Sequence, residues 1–278
     1  MFTWKEDQYS ATAGLKAFYR ACLPEKARGH VIVVHGYAEH SGRYRQVMEY
    51  LAGRGYACYA ADLRGHGRSA RRLGDLERFD RVVDDLKAFK DFVAAEYGAR
   101  PLFLLGHSLG GCLALCLSAP PAAGLAGTVV IAPTIVIPDF ASPLLIAISS
   151  VLAALLPLLP AQAFPIEDIS RDKAVIEAAR RDPLYYRGKM RARTGYQIIR
   201  GIRRARAIAP LVSLPLLVLH GGDDRVMPPA GSRHVLESAA SKDKSLVVYD
   251  GLYHEILNEP EKAQPLAAIA AWLDRHNA

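Results

Sequence analysis

A serine at position 108 stands in "LLGHSLGG", a G-x-S-x-G pattern that follows an apolar β-rich run and opens a helical one. In a sharp strand-to-helix turn the serine is pushed out at the carboxyl edge of a sheet, and Gly106 and Gly110 permit the close backbone approach such a turn requires. A hydroxyl is a poor nucleophile without a base, so the chemistry needs a histidine held by a carboxylate, in the chain order Ser, acid, His. "HGGDDRVMP" offers Asp223 and Asp224 just past one strand end, and "DGLYHEILNEP" offers His254 just past the last. Ligands of open α/β sheets bind outside such strand ends, so Ser108, Asp224 and His254 can converge there. Asp224 is preferred as the acid, with Asp223 left as a loop-capping carboxylate. For most of His35, His40, His66, His107, His220 and His234 a structural or exposed role suffices.

The same chemistry needs donors for a developing oxyanion. The N–H of Leu109, at the start of the helix after Ser108, is one candidate. The N–H of Tyr37 in "HGYAEHSGRY", just after another strand, is the second, and its side chain could wall the pocket. Glu39 and Arg43 would reach the same rim and could bind hydroxyls or phosphate; the alternative is that they pair and brace the loop.

These residues need a frame. Apolar β-rich runs at Val31 to Gly36, Cys58 to Gly65, Pro101 to Gly106, Gly127 to Pro133, Pro215 to Gly221 and Ser245 to Gly251 alternate with helical patterns. The helices are expected at Asp80 to Tyr97, Leu109 to Ala119, Ala230 to Ala240 and Pro260 to His276. Strands apolar at successive positions are covered on both faces, so the fold class is α/β, with a mainly parallel central sheet and helices on both faces. The alternation breaks between residues 134 and 210. Residues 1–133 and 211–278 therefore read as two parts of one core, and 134–210 as an inserted, mostly helical cap.

The insertion opens with a run that carries no charge from Phe140 to Ile166, including "SPLLIAISSVLAALLPLLP". Its prolines leave Leu144 to Leu156 as a helix of about 20 Å, too short for a hydrocarbon core of about 30 Å. A cap helix is expected, whose apolar surface lines a substrate tunnel or rests on a membrane interface, or is simply packed on the core. The insertion closes with ten basic residues between Arg180 and Arg206 against the single acid Asp182, while the rest of the chain is close to charge balance. Such a segment can sit near anionic headgroups or be a solvated helix face. No zinc-ligand pattern or aromatic RNA-binding signature accompanies it, so nucleic acid is not expected as a partner. The 278 residues are 51% hydrophobic, enough for a substantial core. Cys22, Cys58, Cys112 and Cys116 have no metal-site spacing and read as buried small hydrophobes. Lys5, Glu6 and Asp7 stand where an export signal would need apolar residues, so a cytoplasmic location, with peripheral membrane association at most, is expected.

Taken together, "HGYAEHSGRY", "DLRGHGRS", "GHSLGG", "HGGDDRVMP" and "YHEILNE" resemble the monoacylglycerol lipase and lysophospholipase branch of the α/β-hydrolase superfamily. The resemblance runs from His35 to Glu259 apart from the cap. It implies the α/β-hydrolase fold, with Ser108, Asp224 and His254 as the catalytic residues and Tyr37 and Leu109 as the oxyanion donors. It also implies that "DLRGHGRS" is mostly architectural. Some members place a polar residue near the glycerol headgroup three positions after the histidine, where this chain has Leu257. The expected activity is hydrolysis of a lipid carboxylic ester, monoacylglycerol first, without metal or organic cofactor. Lysophospholipid or small-ester hydrolysis is the alternative, and a non-catalytic lipid-binding module the alternative of another class.

Overall fold

The computed structural model describes residues 1–98, 100–122, 124–137 and 141–277. Its central sheet has eight strands in the order β1-β2-β4-β3-β5-β6-β9-β10. The expected six are β3 (Gly29–Val34), β4 (Tyr56–Ala61), β5 (Leu102–His107), β6 (Leu125–Ile131), β9 (Leu216–Gly221) and β10 (Lys244–Tyr249), all mutually parallel. Two further strands, β1 (Phe2–Ser10) and β2 (Lys16–Pro24), form an antiparallel hairpin that joins the sheet at β4. The sequence reading does not anticipate them. Edge strand β1 carries Lys5, Glu6 and Asp7 and is mostly solvated, so it lacks the apolar run that marks its buried neighbours.

Alternation along each strand feeds two separate cores. Val31 and Val33 of β3 pack into one with Met48, Leu51 and Trp272, while Ile32 and Val34 pack into the other with Val82, Phe89 and Leu113. The first core is closed by α1 (Arg45–Ala52) and α8 (Ala263–His276), and the second by α2 (Phe79–Tyr97) and α3 (Leu109–Ser118). Helix α7 (Ala230–Ser238) adds Val235 to the second.

Between β6 and β9 lie α4 (Pro143–Leu155), α5 (Lys173–Arg181), α6 (Ala192–Ile208) and a small antiparallel pair, β7 (Pro160–Gln162) with β8 (Met190–Arg191). Pro143 starts α4 rather than preceding it, because a first-turn residue needs no N–H partner, and the Ser142 hydroxyl caps the helix at Leu145 N. Phe140, where the uncharged run begins, lies outside the described residues. Helix α6 packs on α4, α3 and α2, with Gly201 directly against the Phe79 ring. Among the described residues no helix is long and apolar enough to cross a membrane.

Candidate active site

Ser108 occupies the single residue between β5 and α3, with φ 53° and ψ −117°. A left-handed serine costs about 1–3 kcal/mol, and the surroundings enforce it: Ser108 N donates to Ile131 O at 2.9 Å, and Thr134 N donates to Ser108 O at 3.0 Å. Gly110 lets α3 start hard against β3, since a Cβ there would overlap the Val34 carbonyl. Leu109, first in α3, has an N–H that precedes any intrahelical acceptor. The loop after β3 reaches the same point: a Cβ added to Gly36 would lie 3.2 Å from Ser108 Cβ, which places the Gly36–Tyr37 backbone beside the serine.

His254 and Asp224 are brought together from separate loops. His254 Nδ1 donates to Asp224 Oδ2 at 2.7 Å, and Asp224 Oδ1 accepts from Val226 N and Met227 N, both at 2.8 Å. Burial opposes a charge on Asp224, yet the two histidines beside it, His254 and His220, hold its carboxyl well below the usual carboxylate range. Asp223 is exposed and its N–H donates to Leu252 O. The Ser108 hydroxyl is 3.3 Å from that of Thr134, and among the described residues no hydrogen bond joins it to His254. A turn of the serine side chain from Thr134 toward the imidazole is what would complete a serine–histidine–aspartate relay.

Glu39 and Arg43 adopt the bracing geometry rather than an open rim. The buried Glu39 carboxylate accepts from Gly36 N at 2.6 Å and from the Tyr44 hydroxyl at 2.8 Å. Its Oε1 also lies 3.3 Å from His107 Nδ1, and its Oε2 lies 3.4 Å from Arg43 Nε. Arg43 Nη2 donates to Glu255 Oε2 at 2.6 Å, beside His254, and its guanidinium lies over the Tyr185 ring. Desolvation opposes the Glu39 charge, but His107 and Arg43 override it and keep the group ionised. Burial alone would pull His107 down; Glu39 raises it instead. The His107 ring packs against that of His254 at 4.7 Å between centroids, so the network clamps the loop after β3 to the loop that carries His254. Leu257 is buried beside Tyr44, His107 and Glu255. In "DLRGHGRS", Asp62 accepts from Ser41 N and Arg68 N, an architectural role.

The segment between β6 and β9 reaches this region: Tyr186 N donates to Ala38 O at 2.7 Å, and Phe164 and Tyr186 pack edgewise on Tyr37. Between α4 and α6 it forms a partly open apolar cavity of about 100 Å³, walled by Leu145, Ile146 and Leu152 on one side and Tyr196, Ile199 and Ile202 on the other. Ser108 is not in its wall, but Ile137, three residues beyond Thr134, is. Thr134 carries no sequence signal, and His107, His220 and Glu255, although they stand within the quoted motifs, show nothing there of the contacts they make with Glu39, Asp224 and Arg43 in the fold.

Comparison with known proteins agrees with this geometry. The chain is 34% identical over 275 residues to a monoacylglycerol lipase of Mycolicibacterium smegmatis, covering 99% of this chain and 98% of that one. It is 32% identical to the human monoglyceride lipase, covering 89% and 83% respectively. The crystal structure of a Paleococcus ferrophilus monoacylglycerol lipase superposes with a TM-score of 0.84 at 29% identity, covering 94% of this chain and 99% of that one. With residues 25–261 matching the family described as serine aminopeptidase S33, the chain belongs to that family of serine hydrolases with the α/β-hydrolase fold.

Proposed function

We propose that the protein hydrolyses carboxylic esters of lipids through an acyl-enzyme on Ser108, with monoacylglycerol as the substrate class. The observation that carries this reading is the positive-φ turn that holds Ser108 between β5 and α3, supported by the Asp224–His254 hydrogen bond and by an apolar cavity between α4 and α6. His254 takes the serine proton as Oγ attacks the ester carbonyl, the N–H groups of Tyr37 and Leu109 hold the oxyanion, and His254 returns the proton to the leaving alcohol. Water then attacks the acyl-enzyme by the same route and frees the fatty acid. The cavity between α4 and α6 suits the acyl chain, each buried methylene adding about 0.8 kcal/mol of binding.

A neutral headgroup is favoured over a phosphate because much of the basic segment is engaged. Arg193 pairs with Asp75, Arg200 and Arg204 with Asp80, and Arg180 with Glu167 and Glu177. The protein is also taken to meet its substrate from the cytoplasm as a peripheral membrane partner, through the exposed face of α4.

Turnover of monoolein, lysophosphatidylcholine and p-nitrophenyl butyrate, side by side, tests the substrate class. Monoolein should lead; a preference for butyrate would make this a small-ester esterase. Ser108→Ala should lose about six orders of magnitude in turnover and all labelling by a fluorophosphonate. Near-normal activity in that variant would sink the assignment.

A further inference from the structure

Asp224 touches a second histidine that the reaction above does not use. His220, near the end of β9, is fully buried. Its Nε2 lies 2.9 Å from Met227 O and 3.1 Å from Asp224 Oδ2. Both neighbours are acceptors, so Nε2 carries a proton and points it between them. The other ring nitrogen is held by the hydroxyl of Ser232 on α7, 2.6 Å away and fully buried as well. Asp224 thus receives two backbone N–H groups on one oxygen and faces two imidazole N–H groups on the other, which fills the roughly four acceptor sites of a carboxylate.

We infer that His220 is a positioning residue for the Asp224–His254 pair, with Ser232 fixing the ring that fixes the carboxylate. A carboxylate saturated in this way cannot rotate, so Oδ2 stays where His254 Nδ1 meets it at 2.7 Å. The donor from His220 also takes a share of the negative charge that Asp224 presents to His254. The inference rests on the hydrolase reading.

The groups facing His254 decide how this is measured. From β9 and the loop after it they are His220 and Asp224; from β5, the His107 ring; from its own loop, Glu255; and from the loop after β3, Glu39 behind His107 and Arg43 behind Glu255. Variants at His220 leave all of these in place except His220 itself. The test uses the full chain carrying His220→Leu, His220→Gln or Ser232→Ala, with p-nitrophenyl butyrate as substrate. It reads kcat, KM and the pH profile of kcat/KM, alongside fluorophosphonate labelling.

For His220→Leu, kcat should fall about 10- to 100-fold, by analogy with the loss of partners that orient metal-bound histidines, with KM little changed. The acid limb of the profile should move to higher pH, because an unshared Asp224 charge favours the protonated His254. Gln, whose amide can donate along a similar direction, should recover most of the rate. An acid limb unmoved in His220→Leu, or a Gln variant no better than Leu, overturns the inference. Should His220→Leu fail to fold, Ser232→Ala decides: the limb must move the same way by a smaller amount, and an unmoved limb again overturns it. Wild-type protein that fails to label at Ser108 overturns the hydrolase reading itself, so the two failures are distinct.

Discussion

Ser108, Asp224 and His254 could be named as candidates because each sits in a short motif just past a strand end, where chain order and sheet geometry say what can meet, and the fold joins the last two by a hydrogen bond. Thr134, Glu39 with His107, and Arg43 with Glu255 were not, since these contacts join residues 26, 68 and 212 positions apart. The histidines given structural readings also have measurable consequences. Burial, then the nearby His35, lowers the His66 pKa from 6.5 to about 3. The folded value lies below the unfolded one, so its contribution to stability is full above about pH 6.5 and is lost as pH falls from there toward 3. At about 1.4 kcal/mol per pH unit, that is roughly 4–5 kcal/mol. The melting temperature should fall across that window, and His66→Phe should flatten the fall; equal slopes in the two proteins would exonerate His66. Asp224 acts in a separate, more acidic range. Its depressed pKa contributes stability above the ordinary carboxylate value, which is lost only below it.

Strands β3, β4, β5, β6 and β9 were readable as elements because a strand covered on both faces must be apolar at successive positions, whereas β10, at the sheet edge and exposed at Ser245 and Val247, was marked by its short apolar run alone. Edge strand β1 was not readable, because a partly solvated edge need not be apolar, and the buried β2 was masked by Arg20, whose partners Ser41 and Glu6 are supplied only by the fold. Helix α1 has only eight residues, too few for its pattern to stand out. Helix α6 looked like a basic, solvated element, yet much of it is bonded to the core: Gln197 Oε1 accepts from Phe79 N, and the Thr194 hydroxyl donates to Gly74 O. Gly201→Ala tests that contact. Alanine in a helix interior gains roughly 0.5–1 kcal/mol over glycine, but here its Cβ overlaps the Phe79 ring, and overpacking costs about 1–3 kcal/mol. The variant should therefore melt lower than wild type; a higher melting temperature would show that Phe79 yields freely. Ser149 lines the cavity from α4. Ser149→Phe should suppress monoolein turnover while sparing p-nitrophenyl butyrate, and equal loss on both esters would remove the cavity from the acyl path.

For the molecule as a whole, the question raised by the uncharged stretch has a two-sided answer. Helix α4 is apolar all round: Leu145, Ile146 and Leu152 face the cavity, whereas Leu144, Ile148, Val151 and Leu155, at helical spacing, are exposed, Leu144 and Leu155 by 68% and 74%. Leu156, Leu158 and Leu159 extend the exposed surface. Large side chains left in water forgo about 1.5–3 kcal/mol each, which a lipid interface could return. Replacing Leu144, Val151 and Leu155 together by Ser should abolish sedimentation with phosphatidylcholine vesicles and leave turnover of a water-soluble ester unchanged. Vesicle binding that persists would locate membrane contact elsewhere or nowhere on this face.

What the sequence by itself determined is the chemistry and its scaffold. A serine in a glycine-flanked turn, an acid and a histidine at later strand ends, and a series of strands mostly apolar at successive positions admit few arrangements, because strand alternation and chain order are local properties. Tertiary structure decided what each charge and apolar face is for. Arg43 and Glu39 became a clamp, and Arg193, Arg200 and Arg204 of α6 became ties to Asp75 and Asp80. His220 came to rest on Asp224, and α4 was left half in the cavity and half outside. Such roles depend on which distant groups share a buried volume, and burial sets whether a charge must find a partner or can remain in water.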